Sequence, residues 1–332
     1  MTSQYQILQS GDVEVAKSQQ EFAKDILFGL SQPQKCLPSR YIYDTQGSKL
    51  FQQIMELPEY YLTQCETEVL HRHKDTITDF FESNSFNLVE LGAGDGKKTK
   101  ILLSHFLENN LDFQYVPIDI SETAIHELLD ELNQEFCELE SRGLVAEYFE
   151  GLNWLSNLNH RCNVVLFLGS NIGNFKPFEA RDFLLCLWNA LNDGDYVLIG
   201  LDLKKEIEML LGAYNDSQGI TAKYNLNILD RINYELDGNF DLDNFEYYCT
   251  YDVSCGAIHS FLVSQREQTV SIGALNRMFH FEAWEAIHTE SSYKFLEKDF
   301  STLAEETGYE VIGNLYDSRR YFVDSLWQVN KM

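Results

Sequence analysis

Basic residues are scarce in this 332-residue chain: 25 lysines and arginines stand against 52 aspartates and glutamates, a formal charge of −27. Nucleic acid and anionic membrane surfaces need a basic face, so neither is an expected partner, and solubility accounts for the acidity. Long apolar runs are missing too. None approaches the roughly 18 residues that cross a bilayer, and residues 1–20 lack the basic-then-apolar layout of a secretion signal, which makes the cytoplasm the expected compartment. Cysteine shows no pairing pattern: Cys36, Cys65, Cys137, Cys162, Cys186, Cys249 and Cys255 are odd in number and contain no C-x-x-C. Neither a disulfide framework nor a metal site is expected from them, and they read as small buried apolar residues. What the chain does have is core material. With 44% hydrophobic and 13% aromatic content, it can bury one large core or two smaller ones.

One stretch organises the rest: Phe86-Asn-Leu-Val-Glu-Leu-Gly-Ala-Gly-Asp-Gly-Lys-Lys-Thr99. Residues 88–91 read as a buried parallel strand, and Gly92, Gly94 and Gly96 let the backbone turn tightly and approach a ligand. A helix over 97–107 would aim its free N–H groups at that ligand. A plain packing turn also uses glycines. The nucleotide reading gains from Glu90 ahead of the glycines and from a second strand ending at Asp119, where a Rossmann-type site accepts ribose hydroxyls. A dinucleotide loop expects G-x-G-x-x-G without a leading acid, since pyrophosphate is itself anionic. Here Glu90 and Asp95 put carboxylates around the loop, which suits a cationic centre such as the sulfonium and ammonium of S-adenosylmethionine (SAM).

Strand-like segments at 88–91, 114–118, 144–148, 164–169 and 196–201 alternate with helical ones at 97–107, 121–139 and 177–191, a doubly wound parallel α/β pattern. Ligands of such sheets bind at the carboxyl ends of the strands. The glycine loop, Asp119 and the run Gly169-Ser-Asn-Ile-Gly-Asn174 all fall there. That last run reads either as a helix-leading loop or as carbonyls and an Asn174 amide that hold a substrate amine without adding charge. Upstream, residues 13–30 read as an amphipathic helix, and Tyr41, Tyr43, Tyr60 and Tyr61 cluster around a Gly-Ser turn and Pro58, as a packed aromatic cap or as a lid over a small polar substrate. Beyond residue 201 the pattern changes: helices at 204–214 and 221–236, then antiparallel-type strands at 245–253, 257–264 and 268–272. The expected division is 1–64 and 202–293 in a smaller α+β substrate lobe, with 65–201 and 294–332 in the nucleotide domain and the substrate between the two.

Several strings in one order carry a resemblance that runs from about Leu37 to the C-terminus. They are Y-D-x-x-G-S-x-L-F from Tyr43, L-P-E-Y-Y-x-T from Leu57, E-L-G-x-G-x-x-x-K-T from Glu90, F-L-G-S-x-I-G-N from Phe167, A-Y-x-D-x-x-G-x-T-A from Ala213 and I-H-T-E-x-S-x-K from Ile287. The chain resembles the histidine-specific, SAM-dependent methyltransferases of ergothioneine biosynthesis, the EgtD-like family. The resemblance implies a class I, Rossmann-like methyltransferase fold and trimethylation of the α-amine of histidine to hercynine. It implies SAM contacts at Tyr43, Gly92, Lys98, Asp119, Glu147 and Tyr148. Tyr60, Gly169, Asn174 and Tyr214 would hold the amino acid's backbone, with Tyr60 and Asn174 at the reacting amine. Glu290 and Ser292 would bond the imidazole, with Thr221 and Tyr224 lining the same pocket. Two positions depart from the family pattern: Glu147, where Asp is commoner, and Ser260, where a methionine-like contact is expected.

In that chemistry the amine lone pair attacks the sulfonium methyl in line, so the amine must be neutral. Tyrosine hydroxyls and Asn174 would favour the neutral form, and aromatic faces such as Tyr60 and Phe51 would accept the growing quaternary cation. The expected protein is a monomer acting on a small amino acid, with SAM as co-substrate and no metal. The alternatives are a relative acting on another amino acid, such as a dimethylallyltryptophan, and a non-catalytic SAM-binding protein.

Overall fold

The six residues Phe86–Leu91 are all buried, as a strand covered by helices on both faces must be. They sit inside a chain whose computed structural model describes residues 4–7, 12–81, 85–155 and 161–331. The chain makes β1 (Gln4–Ile7), α1 (Asp12–Leu30), α2 (Thr45–Met55) and α3 (Tyr61–Asp79). Strands and helices then alternate through β2 (Phe86–Leu91), α4 (Thr99–Glu108), β3 (Phe113–Asp119), α5 (Glu122–Glu135), β4 (Arg142–Val145), α6 (Tyr148–Leu155), β5 (Cys162–Phe167), α7 (Pro177–Ala190) and β6 (Tyr196–Asp202). Next come α8 (Ile207–Gly212), α9 (Ile220–Leu236), β7 (Phe245–Asp252), β8 (Ala257–Ser264), β9 (Gln268–Ile272), β10 (Arg277–Phe281) and β11 (Ala286–Tyr293). The described chain closes with α10 (Glu297–Glu306), β12 (Tyr309–Tyr316) and β13 (Phe322–Val329). It divides into two units: Met1–Gln9, Leu62–Lys204 and Lys294–Met332 form the first, Ser10–Tyr61 and Lys205–Tyr293 the second.

The first unit holds an eight-stranded sheet in the order β1-β4-β3-β2-β5-β6-β13-β12. Its strands point alternate residues to opposite faces. Val89, Val116, Val165 and Val197 pack with α7 and α10 residues such as Phe183, Leu187 and Phe300. Leu88, Tyr115, Val164 and Leu198 pack with α3, α4 and α5 residues such as Val69, Phe106 and Leu128. The doubly wound reading therefore stands, with one correction to its parallel sheet: β13 runs antiparallel to both β6 and β12. Other expectations shift at their edges. The strand expected over 144–148 stops at Val145, the Ala146 N–H making a last bond to β3 at Asp119 O, and Tyr148 instead opens α6. The helix expected over 204–214 is confined to Ile207–Gly212, since Lys204 still pairs with Phe295. Gln4–Ile7 pairs in parallel with β4 at the sheet edge, so these residues go with the sheet and not with the segment that follows them.

In the second unit β11, β8 and β7 form an antiparallel sheet and β9 with β10 a hairpin. Residues 35–37 add to β11: the Leu37 N–H bonds His288 O at 2.8 Å and the His288 N–H bonds Lys35 O at 2.9 Å. The amphipathic period of α1 buries Phe22 and Ile26, with Phe22 4.5 Å from the Tyr41 ring. Asn227 on α9 donates to Ile42 O and to the Asp44 carboxylate, tying α9 to the start of α2.

Candidate active site

In the first unit, the three glycines after β2 all adopt positive φ, +74°, +54° and +63° for Gly92, Gly94 and Gly96. Only glycine takes such angles without strain. The Gly92 N–H bonds Ile118 O at 2.8 Å, and the Gly94 N–H bonds Asp119 Oδ2 at 3.0 Å. The other Asp119 oxygen accepts the Ser121 N–H at 2.9 Å, so this carboxylate fixes the loop while each oxygen keeps a lone pair for a ligand. Burial raises the Asp119 pKa, outweighing these N–H bonds. A Cβ on Gly92 would lie 2.9 Å from the Tyr148 hydroxyl, whereas one on Gly94 would meet nothing within 4 Å. The loop is thus closed against Tyr148 and open over Gly94. Glu147 is exposed just ahead of α6. After β5, Gly169 and Ser170 take φ +76° and +56°, and a single 3-10 turn, Asn171–Asn174, ends at the half-buried Asn174.

Glu90 and Lys98 are both engaged within the protein. Glu90, expected beside the ligand, turns inward: Thr99 Oγ1 donates to it at 2.5 Å and the Tyr115 hydroxyl donates to its other oxygen. Burial pushes its pKa up to about 7 against those two bonds. Lys98, expected on SAM, has its ammonium on the Glu66 carboxylate.

The second unit gathers the remaining residues. Tyr43 lies 5.5 Å from both Phe51 and Tyr224 by ring centroids, Phe51 lies 6.2 Å from Tyr60, and Tyr60 lies 6.2 Å from Tyr214. The Tyr214 hydroxyl and Ser292 Oγ are 2.7 Å apart. Glu290 and Ser292 share a face of β11, two residues apart, below an irregularity between His288 and Glu290. Thr289, at that irregularity, is tied to Asn225 on α9 at 2.7 Å. Such a bulge re-aims the residues after it. Burial, then the neighbouring Tyr43 and Glu290, raise the Tyr224 pKa well above that of a free tyrosine. Thr221 sits at the head of α9, its N–H on Asp216 at 2.7 Å.

The fold thus separates the expected site residues into two sets. Gly92, Lys98, Asp119, Glu147, Tyr148, Gly169 and Asn174 belong to the first unit; Tyr43, Tyr60, Tyr214, Thr221, Tyr224, Glu290 and Ser292 belong to the second. The family model described as "Histidine-specific methyltransferase, SAM-dependent" matches residues 22–329. The chain belongs to that family of SAM-dependent methyltransferases. The histidine N-alpha-methyltransferase of Mycobacterium tuberculosis is 34% identical over 272 residues, 82% of this chain and 84% of that one. That of Mycolicibacterium smegmatis is also 34% identical, over 285 residues, 86% and 88% of the two chains. Ergothioneine biosynthesis protein 1 of Schizosaccharomyces pombe is 31% identical over 290 residues, which is 85% of this chain and 37% of the longer one.

Ser260, where a methionine-like contact is expected, lies among the tyrosines of the second unit. It stands opposite Glu290 in the β8–β11 ladder, and the Tyr247 hydroxyl lies 3.1 Å from its Oγ while donating to Tyr214 O at 2.8 Å. Burial, then Cys249 and in turn Glu290, push the Tyr247 pKa well up, although Ser260 opposes them. Tyr247 therefore belongs with this cluster, and nothing in its local sequence marks it, because its partners come from other elements. The donor set also suits SAM: a positive-φ glycine loop with open space at Gly94 and a carboxylate at the tip of the second strand.

Proposed function

We propose that this methyltransferase transfers methyl groups from SAM to the α-amine of L-histidine, three in succession, to give hercynine for ergothioneine synthesis. Gly92, Asp119, Tyr148, Glu147 and Lys98 are assigned to SAM, with Tyr43 contributing. Tyr60, Tyr214, Thr221, Tyr224, Glu290 and Ser292 are assigned to the histidine, and Gly169 and Asn174 to its amine side. In each round the neutral amine's lone pair forms the new C–N bond, the S–C bond breaks, and its electrons return to sulfur to give S-adenosylhomocysteine. The alkylated ammonium then sheds its proton to water before the next round, until no proton remains. Aromatic faces at Tyr60, Tyr43 and Phe51 suit the growing cation, at about 0.5–2 kcal/mol per contact. The protein is taken to act as a monomer in the cytoplasm, without a metal.

The observation that carries the histidine assignment is the pairing of Glu290 and Ser292 on one face of β11, with Tyr214 on Ser292. A carboxylate and a hydroxyl two residues apart match the two ring nitrogens of an imidazole as acceptor and donor. Glu290→Ala is expected to weaken histidine binding roughly tenfold or more, from losing a charged hydrogen bond, while SAM affinity stays within about twofold. Calorimetry with each ligand checks it; equal losses for both would remove the assignment. Mass spectrometry of the product from SAM and the twenty amino acids tests the reaction itself.

A further inference from the structure

Glu66 is a buried carboxylate that no motif marked. It lies on α3 between the core residues Cys65 and Val69, and its side chain is 1% exposed. A charge taken that far from water costs several kcal/mol unless it is paired and hydrogen-bonded. Its two oxygens go to two different loops. Oε1 accepts the Gly169 N–H at 2.7 Å, and Oε2 accepts from the Lys98 ammonium. Lys98 closes the glycine loop after β2, Gly169 opens the loop after β5, and β2 pairs directly with β5.

The seat for this carboxylate is built into the sheet. Gly200 on β6 leaves room for it, since a Cβ there would lie 2.3 Å from Glu66 Oε1 and 3.2 Å from the Gly169 nitrogen. Asp324, the residue opposite Gly200 on β13, is buried beside it. Burial and then the Glu66 charge push the Asp324 pKa well up against the pull of Lys98. Burial works to lower the Lys98 pKa, but the Glu66 carboxylate more than offsets it and the net shift is upward. The Lys98 ammonium and the Glu66 carboxylate are thus matched to each other.

We propose that Glu66 is a positioning residue for the methyl donor: by gripping the Lys98 ammonium and the Gly169 N–H together, it fixes the loop after β2 against the loop after β5. This rests on the reading that those loops hold SAM. An apolar side chain would fill the space at less desolvation cost. Only an acceptor with two separate oxygens ties two ligand-facing loops, one of which carries Ser170 in a left-handed conformation that costs energy to hold.

The test is a set of variants on the full chain: Glu66→Gln, Lys98→Met, the double variant and Gly200→Ala. The readouts are SAM affinity by calorimetry, thermal midpoint, and kcat and KM for SAM. Glu66→Gln puts an amide against the ammonium and is expected to weaken SAM binding about tenfold, the worth of a charged hydrogen bond. Lys98→Met is expected to do the same, and the double variant to be no weaker than either single one, because both remove one device. Gly200→Ala alters no charged group yet displaces the carboxylate, so it is expected to raise KM for SAM in the same direction and carries the test should Glu66→Gln fail to fold. Weak SAM binding by Lys98→Met with normal binding by Glu66→Gln and Gly200→Ala would overturn the proposal, as would lower thermal midpoints with unchanged SAM affinity. Normal SAM binding by Lys98→Met would instead overturn the assignment of Lys98 to the donor, and the positioning role with it.

Discussion

Glu90 illustrates how a residue can serve the ligand loop without facing it. Its carboxyl ties the start of α4, through Thr99, to β3, through Tyr115, and so sets where the helix begins after the glycines. Because burial raises its pKa from 4.5 to about 7, the folded chain binds this proton more tightly than the unfolded chain does. The group therefore favours folding most below pH 4.5, and that contribution declines as pH rises to about 7 and is flat above it. The difference between the two ends is roughly 3 kcal/mol at most. Glu90→Gln should remove this slope, so that chemical-denaturation stabilities of variant and parent converge near pH 5 and separate near pH 8 in the variant's favour. Parallel curves across that range would place the carboxyl elsewhere. At this scale, what was legible in the sequence was local. The glycines fill one βα turn and Asp119 ends the next strand, and the conformations the glycines need are properties of their own backbone. Glu66 was not legible, because its partner Gly169 is 103 residues away and an acid on a helix usually faces water.

Among the elements, α9 shows how a short string sets up a binding face. Asp216 accepts the N–H groups of Gln218, Ile220 and Thr221 at 3.0, 2.9 and 2.7 Å, which serves the helix start in place of an ordinary cap at Gly219. Asp216→Ala should cost about 1–2 kcal/mol, read as a lower urea midpoint, and should weaken histidine binding too, since α9 carries Thr221 and Tyr224. Burial works to raise the Asp216 pKa, but the N–H bonds outweigh it and hold it below 3.8. Its contribution is therefore present at neutral pH and lost on acidification, a second signature that Asp216→Ala would abolish. Helices such as this one were readable because period and punctuation agree. The segment 144–148 was not: apolar and aromatic residues there fit a strand as well as a helix, and where pairing with β3 ends depends on a neighbour distant in sequence. The reversal of β13 is likewise a matter of pairing, since a buried strand has the same composition in either direction.

The whole molecule carries a formal charge of −27, and self-repulsion at that density opposes compaction. Raising sodium chloride from about 10 to about 150 mM shortens the screening length from roughly 30 to 8 Å. The thermal midpoint should then rise by about 2 °C or more. Differential scanning calorimetry at fixed pH would show it, and a falling midpoint would mean that exposed pairs such as Arg40–Asp25 outweigh the net field.

The sheet order has a consequence for synthesis. β6 is finished at Asp202, yet its neighbour β13 spans Phe322–Val329, so the ribosome must first make the whole of Lys205–Tyr293 for the other unit. Through that interval the nascent sheet carries a bare apolar margin on β6, the sort of margin that recruits strands from other molecules. The window for mispairing thus lies late in translation, and a chaperone that shields this fold would do most good by covering that one margin.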